Sequence, residues 1–467
     1  MRLLQAWIAA VLLSVLGYLL LMQAGWAFPP LRLYGVLTQL LGVPAVFQLV
    51  HAVFGLGQGG KIFAFSGVTL LWLGGLTLLG GLQRPLTAGA VTAVLCLLLA
   101  PWQTAVGYGV VFAALLWGVA RRLTPAGGRV PDPARRSLTG VLAAGAAALA
   151  GGGLVALFRQ DQTPADEAAP VAGDALPFAV TPVEHFYYVS KNLEIFDPRL
   201  NVQDWSLQVG GLVQRPATFR LSDLAQFPAV RQELTLSCIS NPVGGPLISN
   251  GLWEGFRLAD LLRQVGIQPQ ARYVLWEAAD GYTESLPLGQ ALEPDVLLVT
   301  RLNGQPLTQR HGFPLRVLIP GRYGMKQPRW ITGIRLSATD KPGYWAERGW
   351  SKEARVELMS RIDQPSPDNP QAPAGPGAIR GVAFYGNRPV TRVEVSTDNG
   401  QHWQDARLVP PRSRYAWTPW ELLWTPAPGT YSLMVRAYSG ATVQTPSARE
   451  ALPEGATGYH QLVVTVS

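Results

Sequence analysis

Apolar residues run almost unbroken along the first part of the chain and then give way to short alternating stretches. Runs long enough to cross a hydrocarbon layer of about 30 Å lie at 4–25, 62–82, 86–102, 104–120 and 138–158. A sixth run, 34–57, is interrupted by Gln39, Pro44, Gln48 and His51, so it either crosses or lies in the interface. The pattern predicts an N-terminal α-helical transmembrane bundle over residues 1–158, of five or six helices. Residues 159–176 are rich in Pro, Ala and acids without periodicity, the mark of a tether.

Beyond Pro177 the apolar period changes. Trp205 to Gly210 alternates and ends in Gly210-Gly211, a strand into a turn. Leu221 to Leu224 opens a short helix, with Ser222 as the expected N-cap. Leu234 to Ser237 alternates again. From Trp253 to Gly266, Leu258, Leu261, Leu262 and Val265 recur at helical spacing and stop at glycine. Strands are expected at Tyr273–Glu277, Val296–Thr300, Pro314–Pro320 and Trp330–Leu336, with a hairpin turn at Asn303-Gly304. Helices and strands mix without a βαβ rhythm, so residues 177–364 read as an α+β domain. A Pro- and Gly-rich linker follows at 365–377. Residues 378–467 then show short strands at Ile379–Tyr385, Val390–Ser396, Trp403–Leu408, Trp420–Trp424, Tyr431–Ala437 and Gln461–Val466. That spacing predicts an all-β immunoglobulin-like sandwich.

Charge sharpens the division. Ten of the 38 Lys and Arg residues and one of the 30 acids lie in residues 1–160, which leaves 28 basic and 29 acidic side chains beyond. The pI near 9.6 therefore belongs to the apolar part, and the balanced remainder gives no footing for nucleic-acid binding. Arg121, Arg122, Arg129, Arg135 and Arg136 cluster ahead of the 138–158 run. Positive charge beside spans stays cytoplasmic, so the last run carries the chain out. A multi-pass protein of the cell membrane, with its folded part on the extracytoplasmic side, is the expectation. The Arg135-Arg136 pair before an apolar run also resembles a twin-arginine export signal. His51 is the one histidine of the apolar part, so a haem with two histidine ligands is not expected there.

Two stretches carry candidate chemistry. Leu234-Thr-Leu-Ser-Cys238-Ile-Ser-Asn-Pro-Val-Gly-Gly-Pro246 delivers a cysteine from an alternating run into a turn of Ser, Asn, Pro and Gly. Cys238 is either a nucleophile or metal ligand, or a small buried hydrophobe. Arg310-His-Gly-Phe-Pro-Leu-Arg316-Val-Leu-Ile-Pro-Gly-Arg322-Tyr-Gly-Met-Lys326 brackets a strand with glycines and prolines. Arg310 and Arg316 share a strand face, and the glycine turn can return Lys326 beside them. Fixed cations and exposed backbone N–H groups suit a phosphate or a polar ring.

The order Glu184-His-Phe-Tyr-Tyr188, then TLSCISNPVGG, then HGFPLRVLIPGRYGMKQPRWI, then Gly343-Tyr-Trp345, with a β-sandwich last, resembles the sulfite oxidase family of molybdopterin enzymes. The likeness covers roughly residues 178–467, and is nearest to the bacterial membrane-anchored members. It implies a molybdenum–molybdopterin cofactor with Cys238 as the metal's protein thiolate and the catalytic residue. Tyr187, Tyr188, His311, Arg316, Gly324, Met325 and Lys326 match the family's pterin-contacting positions. Asp280 and Glu184 fall where further cofactor contacts are expected. The C-terminal sandwich looks like the family's dimerisation domain, so a homodimer is implied. The chemistry implied is two-electron oxygen-atom transfer on a small molecule.

This chain departs from the animal and plant members in two places. After the cysteine it has Ile239-Ser-Asn-Pro242 where they have Gly-Asn-Arg-Arg. Their early substrate arginine falls near Tyr188, Val189 and Ser190, none of them cationic. Lys191, Arg322 and Arg348 are candidate replacements, and the substrate is expected to be a sulfite-like oxyanion or a sulfoxide. No Cys-x-x-Cys-His haem motif occurs, so electrons pass to or from a separate cytochrome or quinone-linked partner, in either direction. A contrasting expectation is an exported docking module with the same fold and no metal.

Overall fold

The computed structural model describes residues 2–24, 27–40, 59–82, 84–97, 102–123 and 180–467. It divides into two compact units, Met1–Pro164 and Ala165–Ser467. The 138–158 run, Arg129, Arg135, Arg136, the 159–176 tether, His51 and most of the 34–57 run lie outside the described residues.

The first unit is helical: α1 (Arg2–Ala24), α2 (Pro29–Leu40), α3 (Gly59–Leu82), α4 (Pro85–Leu97) and α5 (Trp102–Leu123). Among the described residues, three segments are long and apolar enough to cross a membrane: Leu3–Leu21, Phe63–Leu82 and Trp102–Val119. The helix in the 86–102 run is shorter, 13 residues. Between helices that are apolar all round, small residues that admit close backbone approach decide where the axes meet. On α4, a Cβ at Gly89 would stand 2.5 Å from the Gly109 carbonyl oxygen of α5, and the reverse holds at Gly109. Tyr108 of α5 fills a notch left by Gly17 of α1, and Trp72 Nε1 of α3 donates to Ser14 Oγ of α1 at 3.1 Å. Gly109→Leu should part α4 from α5 and cost roughly 1–3 kcal/mol, read as a lower thermal midpoint of this unit in detergent.

The second unit holds four sheets. Its first ten strands are β1 (Leu207–Gly211), β2 (Ala217–Phe219), β3 (Val230–Ser237), β4 (Ile248–Arg257), β5 (Tyr273–Ala278), β6 (Thr283–Pro287), β7 (Leu297–Leu302), β8 (Gln305–Pro306), β9 (Arg316–Leu318) and β10 (Ile331–Ser337). Helices α6 (Leu221–Leu224), α7 (Leu258–Val265) and α8 (Leu288–Ala291) interleave with them. One sheet has the order β2-β1-β10-β5-β6, with β1 and β10 parallel. The other runs β3-β4-β7-β8, with β9 also paired to β7. The sequence pattern extended a helix back to Trp253. The chain instead stays in β4 to Arg257, because β3 and β7 flank it on both sides, and the helix begins at Leu258. Its leucines and Val265 join Trp276, Ile334 and Leu298 in the larger core. Gly266, at φ 73°, ends α7 as expected. Helix α6 is capped at Arg220, two residues earlier than the cap prediction. The Arg220 N–H donates to the Asp223 carboxylate at 2.7 Å, so Ser222 lies inside the turn.

Strands β11 (Met359–Gln364), β12 (Gln371–Ala372), β13 (Gly377–Phe384), β14 (Arg392–Ser396), β15 (Gln404–Asp405), β16 (Arg407–Leu408), β17 (Thr418–Trp424), β18 (Gly429–Ser439), β19 (Thr442–Val443) and β20 (His460–Val466) complete the fold. They form two sheets, β11-β13-β17-β16 and β12-β20-β18-β14-β15, the second with β19 beside β18. Ile362, Ile379 and Trp420 of one sheet and Val393, Leu433 and Val464 of the other share a single core. This β-rich region also reaches back: Thr235 of β3 donates its N–H to Tyr415 O at 3.0 Å, and Trp417 N–H reaches Thr235 Oγ1 at 2.8 Å.

Candidate active site

Cys238 is the first residue beyond β3, in the loop that leads to β4. Its N–H donates to Leu247 O at 2.9 Å, and its carbonyl accepts the Asn241 N–H at 3.1 Å. The Asn241 side chain closes the loop base by accepting the Leu247 N–H at 2.8 Å. The thiol is half-buried, with Sγ 3.0 Å from Ser240 Oγ. A negative charge on that sulfur would act on Tyr187, Tyr282 and Tyr323 and raise each phenol further. Burial raises all three phenols above their ordinary value, so each remains a neutral hydrogen-bonding group.

The second stretch folds beside it. A Cβ on Gly324 would meet the Tyr187 hydroxyl at 2.4 Å and Ser237 O at 3.5 Å. That one glycine thus seats Tyr187 against the residue that precedes Cys238. The next carbonyl, Met325 O, accepts the Tyr282 hydroxyl at 2.6 Å. Arg316 is buried at the start of β9. It donates to His311 O at 3.2 Å and Gln327 O at 3.3 Å, with its guanidinium 5.1 Å from the Trp253 ring centre. Gly312, at φ 107°, has no Cβ to separate the stems of Arg316 and Arg329. Arg329 donates to Arg310 O at 2.7 Å and Val189 O at 3.0 Å, and lies over the Tyr188 ring at 4.7 Å.

The structure therefore brings together Cys238, Tyr187, Tyr188, His311, Arg316, Gly324 and Met325. Lys326 is adjacent but differently employed: its ammonium is buried and donates to Glu284 Oε1 at 2.6 Å and Ser285 O at 2.7 Å. The expectation that Lys326 returns beside Arg316 gives way to this ion pair, and Arg310 turns to Glu194 at 3.3 Å. Asp280 accepts the Tyr282 N–H at 2.9 Å and pairs with Lys191 at 3.5 Å. Glu184 is exposed on the short 3₁₀ turn Val183–His185. Successive side chains of such a turn point about 120° apart, and here the next residue, His185, buries its Nδ1 instead. Sequence reading missed His185, Arg329 and Glu284. Arg329 was the most legible, as a cation beside Trp330 just past the glycine turn. Of the candidate substrate cations, Arg322 is tied to Glu353 at 2.9 Å, and Arg348 lies 3.6 Å from the Tyr344 ring centre with Lys191 5.3 Å from that centre.

Burial, with the neighbouring charge of Arg329, lowers the Arg316 guanidinium to about 9, so it stays charged at neutral pH. Burial and then Arg316 and Arg329 hold His311 down to about 3. Its Nε2 lies 3.2 Å from Val183 O, where a neutral ring donates its one proton. His460 is likewise held near 4 by burial and Arg361. Between these values and the ordinary 6.5, the unfolded chain binds protons that the folded chain refuses, so stability is lost as pH falls through that window. Thermal unfolding at pH 5 should have a lower midpoint than at pH 7, and His460→Gln should narrow the difference.

The family model described as "Oxidoreductase molybdopterin binding domain" matches residues 195–345, and the "Mo-co oxidoreductase dimerisation domain" matches 353–460. Mitochondrial sulfite oxidase of Drosophila melanogaster is 29% identical over 288 residues, 51% of this chain and 50% of that protein. The rat enzyme is 31% identical over 272 residues, 48% and 50% respectively. The uncharacterized oxidoreductase YuiH of Bacillus subtilis is 36% identical over 146 residues, 31% of this chain and 72% of that one. The chain thus spans half the length of the two sulfite oxidases. The crystal structure of the sulfane dehydrogenase SoxCD from Paracoccus pantotrophus shares the fold, with TM-score 0.55 and 24% identity over 63% of this chain and 85% of that chain.

Fold and comparisons together define the class, that of molybdopterin-binding oxidoreductase domains joined to a dimerisation domain. The chain belongs to the sulfite oxidase family, whose cofactor is molybdenum–molybdopterin. The residues present fit that group: among the described residues, Arg316 Nε, the Tyr188 hydroxyl and His185 Nδ1 are buried without hydrogen-bond partners. Such groups are costly unless something meets them.

Proposed function

We propose that this chain carries out two-electron oxygen-atom transfer on a small oxyanion or sulfoxide, with Cys238 as the protein ligand of molybdenum. The observation that carries the reading is the approach of the Cys238 loop to the Gly324 turn through Tyr187, beside a buried arginine that no carboxylate among the described residues neutralises. When bound, the cofactor supplies the two-electron chemistry. The chain's own groups do the rest. The Cys238 thiol, once deprotonated, is a soft ligand suited to a heavy metal. Arg316 and Arg329 supply positive charge to the anionic pterin, and neutral His311 and Tyr188 supply hydrogen bonds. Tyr187 and Tyr282 hold protons beside the thiolate without giving them up at neutral pH.

The same reading includes an anchor in the membrane through the apolar helices, with the folded part outside the cytoplasm, an immunoglobulin-like C-terminal sandwich that pairs two copies, and a separate electron partner. Support comes from the three long apolar helices, the shared core of the two C-terminal sheets and the match to a dimerisation-domain model. Molybdenum quantitation on the purified full chain tests the reading, followed by a substrate screen with an artificial electron carrier in both directions. About one molybdenum per chain and turnover of an oxyanion or sulfoxide are expected. A natively folded chain that takes up no molybdenum would overturn it.

A further inference from the structure

The Cys238 loop leaves β3 at Ser237 and returns at Ile248. Its base is closed by its own groups, as described above, but its tip is held from elsewhere in the chain. Arg361, on β11, donates from Nη1 to Gly245 O at 2.9 Å. His460, the first residue of β20, lies flat against Gly244, where a Cβ would fall 2.2 Å from its ring. The His460 ring is itself fixed, since Nδ1 accepts the Ile362 N–H at 3.0 Å. Both Arg361 and His460 are buried.

The same run of chain reaches the other half of the site. Gly455 has no Cβ because the Tyr323 hydroxyl is in the way, at 2.5 Å. Tyr323 precedes the Gly324 turn and receives the Glu357 N–H at 3.2 Å. A Cβ on Gly458 would lie 3.7 Å from the Val243 side chain. Residues 455–460 thus abut both the cysteine loop and the turn beside it. A loop with adjacent glycines at its tip has many open conformations to choose from. It keeps one because the β-rich domain removes the others.

We infer that Arg361 and His460 form a latch that holds the Cys238 loop in its ligand-presenting conformation. The C-terminal domain is then part of the metal centre's geometry, quite apart from any role in pairing subunits. The contacts that define the latch are to the loop backbone at Gly244 and Gly245, so both are positioning residues. The inference rests on the reading of Cys238 as the molybdenum ligand.

The test uses the full chain in a Cys96→Ala background, so that Cys238 is the one thiol. The variants are His460→Leu, Arg361→Met combined with Asp363→Asn to leave no buried charge alone, and the conservative Arg361→Lys. In cofactor-free protein, labelling of Cys238 by a small disulfide reagent should quicken on the order of tenfold in the first two, as the loop opens locally. Arg361→Lys should restore the slow rate. In cofactor-loaded protein, the molybdenum electron paramagnetic resonance of the one-electron-reduced state should shift in the first two variants and not in the third. Folded variants in which either the labelling rate or the spectrum is unchanged overturn the latch. The ligand assignment fails separately, if Cys238→Ser keeps the wild-type spectrum.

Discussion

Cys238→Ser is expected to abolish turnover, by a factor on the order of a thousand or more, while the chain still folds. The two halves of that expectation have different causes. Serine is isosteric but a hard, weakly acidic donor, so it does not supply the thiolate a soft metal centre requires. The side chain is half-buried at a strand end and contributes little to the core around Leu234 and Leu236, so the stability change should stay within about 1 kcal/mol. Turnover, molybdenum content and thermal midpoint measured on one preparation check both halves. A variant with wild-type turnover would remove Cys238 from the chemistry.

Arg316→Met is expected to move stability and cofactor retention in opposite directions. In the cofactor-free chain the guanidinium is buried against two carbonyl oxygens and the Trp253 face, with Nε unsatisfied. Among the described residues no carboxylate pairs with it, and Arg329 adds a like charge. Burying an uncompensated charge is costly, and an apolar side chain of similar volume relieves that cost, by about 1–3 kcal/mol. With the cofactor bound, the same charge faces an anion, and its loss should weaken retention about thirtyfold or more. Thermal melting of the cofactor-free protein and molybdenum retained after gel filtration read the two effects. A less stable cofactor-free variant, or one that retains its molybdenum, would show that Arg316 serves the fold alone.

What was legible in the sequence followed from short-range rules. The Asn303-Gly304 turn falls where both residues take positive φ, 51° and 78°, and Gly266 stops α7 because only glycine ends a helix cheaply in that conformation. Trp253 to Arg257 misled because the two faces of β4 pack on two cores, Trp253 in one and Phe256 in the other, and a helix that follows at once extends the same apolar run. The site was legible as far as Cys238 and the 311–325 stretch. Arg329 was legible only as a cation beside Trp330, since its partner Val189 O lies far along the chain, and the burial of His185 Nδ1 is decided in space and not along the sequence.

The chain's order of residues alone determined the division into an apolar helical part and a mixed β part, the cysteine delivered at a strand end, and the family to which it belongs. These depend on period, on turn chemistry and on a string of motifs, all of which are local. Tertiary structure alone decided that Lys326 is committed to Glu284, that Arg316 is buried with no carboxylate beside it among the described residues, and that a C-terminal strand braces the cysteine loop. Burial and charge compensation are properties of neighbours in space, and no spacing along the chain encodes who those neighbours will be.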